Sequence, residues 1–133
     1  MKLLAVTVNF KTPEMTLKAV GTLLRELASY PDAQVSIVDN DSRDGSLEKL
    51  RQGVKDAGWS DRVEVLASPW NGGFAWGNNF AIQPALEQTN RPDYVYLMNS
   101  DAFPDPDSIR ALVGYLDSHP ETGIAGSYIH GVD

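Results

Sequence analysis

Apolar residues come in short blocks along this chain, and the spacing within the blocks switches between strand-like and helix-like. Leu3 to Val8 is a brief β-rich run that stops at Asn9-Phe10-Lys11-Thr12-Pro13. Helix-start signals follow: Thr12 as N-cap, Pro13 at the first position and Glu14 in the first turn. Met15, Ala19, Leu23, Leu24 and Leu27 then recur at helical spacing, and Pro31-Asp32 closes the helix. Val35 to Val38 predicts a second strand. Asp44 or Ser46 would cap a helix with Leu47, Leu50 and Val54 on one face, stopped by Gly58. Arg62 to Leu66 alternates as a third strand, and Ser68 to Gly73 is a loop. A helix is expected from about Phe74 to Leu86, with Pro84 ending or kinking it. Tyr94 to Met98 is the fourth and most hydrophobic strand. Asp105 to Ser118 reads as a helix with Ile109, Leu112, Val113 and Leu116 inward, and Ile124 to Ile129 as a fifth strand. Strand and helix alternate throughout, so the expected fold class is α/β: a doubly wound, mainly parallel sheet with helices on both faces.

Composition narrows the picture without redirecting it. The 133 residues suit one domain, residues 1–133, with enough chain to bury a core. A net charge of −7 leaves no basic field for nucleic acid or an anionic membrane. An acidic balance also suits a site that holds a divalent metal. The absence of cysteine excludes a disulfide scaffold and thiolate catalysis and favours a cytoplasmic setting. No apolar run approaches the ~20 residues that span a bilayer. The apolar stretch at the start is too short for a signal peptide and reads as the first strand. The last residues carry no cap or closing helix, and the chain is expected to continue beyond Asp133.

The candidate chemistry lies where strands end. In a doubly wound sheet the carboxyl ends of parallel strands share one edge, and ligands bind in the crevice outside it. Four polar segments follow strands: Asn9 to Thr12, Asp39 to Ser46, Ser68 to Asn79, and Asn99-Ser100-Asp101. Asp39 stands at the tip of its strand, placed to accept hydrogen bonds from a ligand such as a nucleotide, while Asp44 and Ser46 start a helix. Asp101, held at a rigid strand end, suits Mg2+ or Mn2+, whose oxygen ligands are readily shared with substrate phosphates. Its bland alternative is a turn cap. Gly72 and Gly73 permit positive φ and close backbone approach, and a helix beginning at Phe74 would aim free N–H groups at an anion. Asn71, Asn78 and Asn79 flank that glycine pair and tilt it towards a site rather than an ordinary turn. Asp39-Asn40-Asp41 imitates an EF-hand, but its glycine falls one position late and Leu50 replaces the bidentate acid. Asn40-Asp41-Ser42 matches a glycosylation sequon with nothing to indicate secretion. His119 and His130 sit in no metal spacing and read as surface residues.

Taken in order, Val6 to Phe10, Val38 to Ser46, Asn71 to Asn79 and Leu97 to Asp101 resemble the amino-terminal, nucleotide-sugar-binding half of family 2 glycosyltransferases. The likeness runs from Leu3 to about Gly126 and is closest to the bacterial rhamnosyltransferase-like branch, which serves cell-surface polysaccharide biosynthesis. It implies a Rossmann-like GT-A fold cut before the acceptor half. It also implies transfer of a sugar from a UDP- or dTDP-linked donor to a saccharide or glycolipid acceptor, with inversion, in the cytoplasm or at the inner face of the membrane. By this resemblance Val8, Asn9 and Phe10 line the base pocket, and Asp39 binds the base through a ring N–H. Asn71, Gly72 and Gly73 lie near the nucleotide and diphosphate. Asn99, Ser100 and Asp101 occupy the Asp-x-Asp motif, with Asp101 as the ligand of Mg2+ or Mn2+ and Asn99 departing from the usual first acid. No acid after Asp101 sits in a matching motif for the catalytic base, so the base is unassigned and the isolated chain is expected to be inactive. The rival expectation is a non-catalytic nucleotide-binding module or a degenerate transferase. A receiver-like phosphoacceptor domain is disfavoured, since Ala67-Ser68 stands where its acid belongs.

Overall fold

The computed structural model describes residues Met1–Gly131. Four strands, β1 (Leu3–Asn9), β2 (Gln34–Asp39), β3 (Val63–Ala67) and β4 (Tyr94–Asn99), form one parallel sheet in the order β3-β2-β1-β4. The intervening helices are α1 (Pro13–Glu26), α2 (Ser46–Asp56) and α3 (Phe74–Leu86), with α4 (Ser108–Ser118) after the last strand.

Side-chain alternation along the strands builds a core on each face. Leu3 and Ala5 of β1, Val35 and Ile37 of β2, and Met98 of β4 face α1, α2 and α4. They meet Leu23, Leu50 and Ile109, all but fully buried. Leu4, Val6 and Val38 point the other way, against Ala81 and Phe80 of α3. That helix covers β1 and β2 but not β4, where Val95 and Leu97 are exposed. The sheet is thus doubly wound, as the pattern predicts.

The sequence-derived bounds hold within a residue or two at every strand. Helix α3 spans its expected range and continues past Pro84, which lies in the final turn. Helix α4 begins at Ser108 rather than Asp105, because Asp107 adopts a left-handed φ of 65° that no helical turn accommodates. Ile124 to Ile129 is not a strand: it pairs with no neighbour, and Ile124, Tyr128 and Ile129 stand almost wholly exposed. Strand formation needs a partner ladder, which β propensity alone does not supply.

One inter-element stitch lies far from the site edge. The Arg62 guanidinium donates to the carbonyls of Leu27, Tyr30 and Ala33, at 3.3, 2.8 and 3.2 Å. It thereby ties the turn after α1 to the start of β3. Arg62→Ala is expected to lower unfolding free energy by about 1–2 kcal/mol, read from chemical denaturation, with nucleotide binding unaltered.

Candidate functional site

Running from β1 to β2 to β3 the strands step in one direction, and β4 then joins β1 on the opposite side. The strand order therefore reverses between β1 and β4, and the crevice outside that point is where open α/β sheets bind ligands. The register places the candidate residues there: Asn9 pairs with Asp39, and Val8 pairs with Asn99.

The ends of β1 and β2 are locked by a buried polar network. Asn9 and Asp39 are 0% and 4% exposed. Asn9 Nδ2 donates to Asp39 Oδ1 at 2.9 Å, and Thr16 Oγ1 of α1 donates to Asn9 Oδ1 at 2.6 Å. Ser42 Oγ donates to the same Asp39 oxygen at 2.6 Å, while its backbone N–H reaches Asp39 Oδ2 at 3.2 Å. In turn Ser42 Oγ accepts the Lys11 N–H at 2.9 Å. A carboxylate has about four acceptor positions, two per oxygen. Three are filled here, and the one left is on Oδ2. Asp39 is therefore fixed in orientation and retains capacity for one further donor.

Backbone strain gathers at the same corner. Lys11, Asp41 and Arg43 hold φ values of 62°, 58° and 56°. Left-handed backbone at non-glycine residues is costly and tends to persist where function requires it. Asp44 accepts from both the Ser46 N–H and hydroxyl, at 3.0 and 2.5 Å, just before α2, but the N-cap position itself falls to Gly45, at a φ of 86°, rather than to Asp44 or Ser46. Those hydrogen bonds hold the Asp44 carboxyl below the usual range. A lowered carboxyl pKa favours the fold at neutral pH, a contribution lost as acidification protonates Asp44.

The loop after β3 is built around Ser68 and two tryptophans. The Ser68 N–H bonds the Asp39 carbonyl at 3.0 Å, which seats the loop on β2. Its hydroxyl donates to the Trp70 carbonyl and accepts Trp76 Nε1–H, at 2.7 and 2.8 Å. The two indoles lie 5.2 Å apart. This assigns the glycine pair two distinct tasks. A Cβ on Gly72 would lie 2.5 Å from Trp76 Cγ, so the missing side chain makes room for the ring. Gly73 instead supplies a φ of 92° at the start of α3. Gly77, whose added Cβ would lie 2.8 Å from a Val8 methyl, lets the first turn of α3 press against the end of β1. The amino end of α3 thus opens beside the switch point, and half-buried Val8 packs beneath it.

Phe10 is 43% exposed, beside Lys11, whose ammonium lies 5.1 Å from the ring centre. Asn99 and Asp101 are exposed and Ser100 is half-buried. No hydrogen bond engages the Asp101 carboxylate among the described residues, so it does not act as the turn cap of the bland alternative. Nor do the described residues include three acidic, His or Cys side chains grouped to enclose a metal. A single exposed carboxylate still fits Mg2+ or Mn2+, which bind through one or two carboxylates and fill the rest with water and substrate phosphate.

Two open concavities lie elsewhere. One, of about 480 Å³, sits by Tyr30 and Val113; another, of about 550 Å³, lies between α4 and Thr122–Tyr128. Neither includes a strand-end residue. His130 pairs with Asp105 at 2.6 Å and His119 stacks on Tyr115, consistent with surface roles. Periodicity missed Thr16, Asn40 and Ser42: Thr16 and Ser42 bond the nearby strand tips at Asn9 and Asp39, and Asn40 reaches 31 and 33 positions on to Asn71 and Gly73. Asn40 is 2% exposed, which removes it as a glycosylation acceptor.

The glycosyl transferase family 2 model matches residues 5–133. No curated protein sequence matches the chain. Among solved structures, it is similar to a mannosyltransferase of Pyrobaculum calidifontis determined with GDP-Man and Mn2+. That likeness has a TM-score of 0.72 at 17% identity, over 86% of this chain and 32% of that one. It is also similar to S. aureus TarS 1-349 in complex with UDP-GlcNAc, with a TM-score of 0.71 at 19% identity over 90% of this chain and 32% of that one. The chain therefore spans about a third of the length of the solved chains it matches. These likenesses show the GT-A fold. Since the family match covers residues 5–133, nearly the whole chain and the loops at the carboxyl ends of all four strands, the chain belongs to glycosyl transferase family 2.

Proposed function

We propose that this chain is the donor-binding part of a metal-assisted glycosyltransferase. It would hold a UDP- or dTDP-linked sugar for transfer of a hexosyl or rhamnosyl unit, with inversion, to a saccharide or glycolipid acceptor. The observation that carries the reading is the strand register at the switch point. It sets the ends of β1, β2 and β4 side by side, which supports one crevice shared by the oriented carboxylate of Asp39, the amino end of α3 and the exposed carboxylate of Asp101. The Mn2+ and nucleotide sugars bound by the solved relatives support the same assignment.

In this reading Val8, Asn9 and Phe10 take the base side, with the Phe10 ring offering a stacking face. Asp39 accepts the ring N–H of a pyrimidine through its remaining acceptor position. Asn71, Gly72 and Gly73 bound the path of the diphosphate, which the N–H groups at the start of α3 attract. Asn99 and Ser100 offer polar groups to the ribose, and Asp101 holds the divalent metal. When bound, that ion supplies charge neutralisation for a departing diphosphate.

The acids after Asp101 are otherwise engaged or remote. Asp105 pairs with His130, Asp107 lies 3.0 Å from Arg110, and Asp117 accepts the Tyr94 hydroxyl at 2.6 Å. Glu121 is exposed beyond α4, and Asp133 lies outside the described residues. None is offered as the catalytic base, and this chain alone is expected to bind nucleotide without turnover. No helix among the described residues is long and apolar enough to cross a membrane.

Calorimetry with UDP, dTDP and GDP, each with Mn2+ and with EDTA, tests the proposal. UDP or dTDP should bind, and more tightly with Mn2+. Absence of heat with all three would overturn the donor-site reading, while binding of GDP alone would correct the base.

A further inference from the structure

Asn40 has no part in the contacts assigned above, yet it joins the two halves of the edge. Its backbone N–H donates to the Asn9 carbonyl at 2.9 Å, which anchors it to the tip of β1. Its side-chain nitrogen then crosses to the loop after β3, donating to Asn71 Oδ1 at 2.9 Å and to the Gly73 carbonyl at 3.0 Å. The amide orientation follows from the neighbours. Asn71 Oδ1 already accepts the Gly73 N–H at 2.9 Å, so it presents an oxygen, as does the Gly73 carbonyl. Only a donor can face both. The Asn40 oxygen is buried without a partner among the described residues. Burying an unpartnered acceptor is unfavourable, so the side chain is kept for its two donors.

The loop held in this way sets the start of α3. Gly73 is the N-cap residue of that helix, and Gly77 fits its first turn against Val8, one strand from β4. A shift of loop 71–73 would swing the free N–H groups of α3 relative to Asp101. The Asp39 corner has its own bonds to Asn9 and Ser42 and would stay in place.

We propose that Asn40 is a positioning residue that clamps loop 71–73 and the amino end of α3 onto the strand tips, and so governs affinity for the diphosphate rather than for the base. The inference rests on the donor-site reading and adds to it the residue that holds its phosphate side to the strand tips.

The test compares Asn40→Asp and Asn40→Ala in the whole chain, titrated with UDP plus Mg2+ and with uridine. Asn40→Asp preserves shape but turns an oxygen towards two acceptors. It should weaken UDP binding at least tenfold and leave uridine binding within twofold of the parent. Asn40→Ala should act in the same direction, and it decides the matter if the Asp variant does not melt cooperatively. In a Trp59→Phe background, emission from Trp70 and Trp76 should shift to the red in both variants, because these indoles flank the clamped segment. UDP affinity within twofold of the parent in both variants would overturn the proposal, as would equal losses for UDP and uridine. A parent chain that binds neither compound removes the donor site itself and this inference with it. A parent that binds UDP normally, beside unaffected variants, removes only the role of Asn40.

Discussion

Asp39→Ala should weaken UDP binding by about 1–3 kcal/mol, the range for losing a hydrogen bond to a charged acceptor in a desolvated corner. Asp39 is 4% exposed and its carboxylate is oriented by Asn9 and Ser42, so little ordering is left to complete when the ligand arrives. The same substitution should lower unfolding free energy by about 1–3 kcal/mol, because Asn9 Nδ2 and Ser42 Oγ would be left buried without their acceptor. Asp39→Asn separates the two effects. With its oxygen towards Asn9 and Ser42 Oγ, it keeps the hydrogen bonds to Oδ1 but turns an NH2 towards the Ser42 N–H and the ligand, so stability should fall less than in Asp39→Ala while binding still falls. Calorimetry and denaturant titration of both variants read these quantities, and unchanged UDP affinity in either would refute base recognition by Asp39.

Asp101→Asn should abolish the strengthening of nucleotide binding by Mn2+. The side chain is exposed and has no hydrogen-bond partner among the described residues, so stability should change by no more than about 0.5 kcal/mol. Asparagine keeps the shape and one oxygen but removes the charge that a hard cation requires. Among the described residues no three His, Cys, Asp or Glu side chains are grouped to hold a metal without Asp101. A parent enhancement of about tenfold corresponds to about 1.4 kcal/mol, and the variant should lose nearly all of it. Enhancement retained in Asp101→Asn would move the metal elsewhere on the chain.

Much of this edge is legible in the sequence because local signals carry it. The strands announce themselves as short apolar runs ending at Asn9, Asp39 and Asn99, and Phe74 follows a glycine that holds positive φ. What periodicity does not convey is pairing. Nothing in the local pattern says that β4 lies beside β1 rather than β3, yet that reversal creates the crevice. Gly72 reads as an opening for a ligand until the Trp76 ring is seen to fill the space. Ile124 to Ile129 has the residues of a strand but no neighbouring strand to bond. Asn40 looks like part of a sequon or of an imitation EF-hand because its side-chain partners, Asn71 and Gly73, lie 31 and 33 positions away. Thr16 and Ser42 are missed for another reason: their partners Asn9 and Asp39 are near in sequence, but periodicity does not show which polar side chain turns back onto a strand tip.

The central claim is one of place: nucleotide and metal meet at the carboxyl edge of the sheet, between the ends of β1, β2 and β4 and the start of α3. Backbone amide NMR of the 15N-labelled chain tests it directly, with UDP and Mg2+ added first and Mn2+ then substituted to broaden nearby signals. Amides of residues 9–11, 39–42, 71–75 and 99–102 should shift with UDP, and those around Asp101 should broaden most with Mn2+. Shifts concentrated instead around Tyr30 and Val113, or around Tyr115 and Tyr128, would contradict the account.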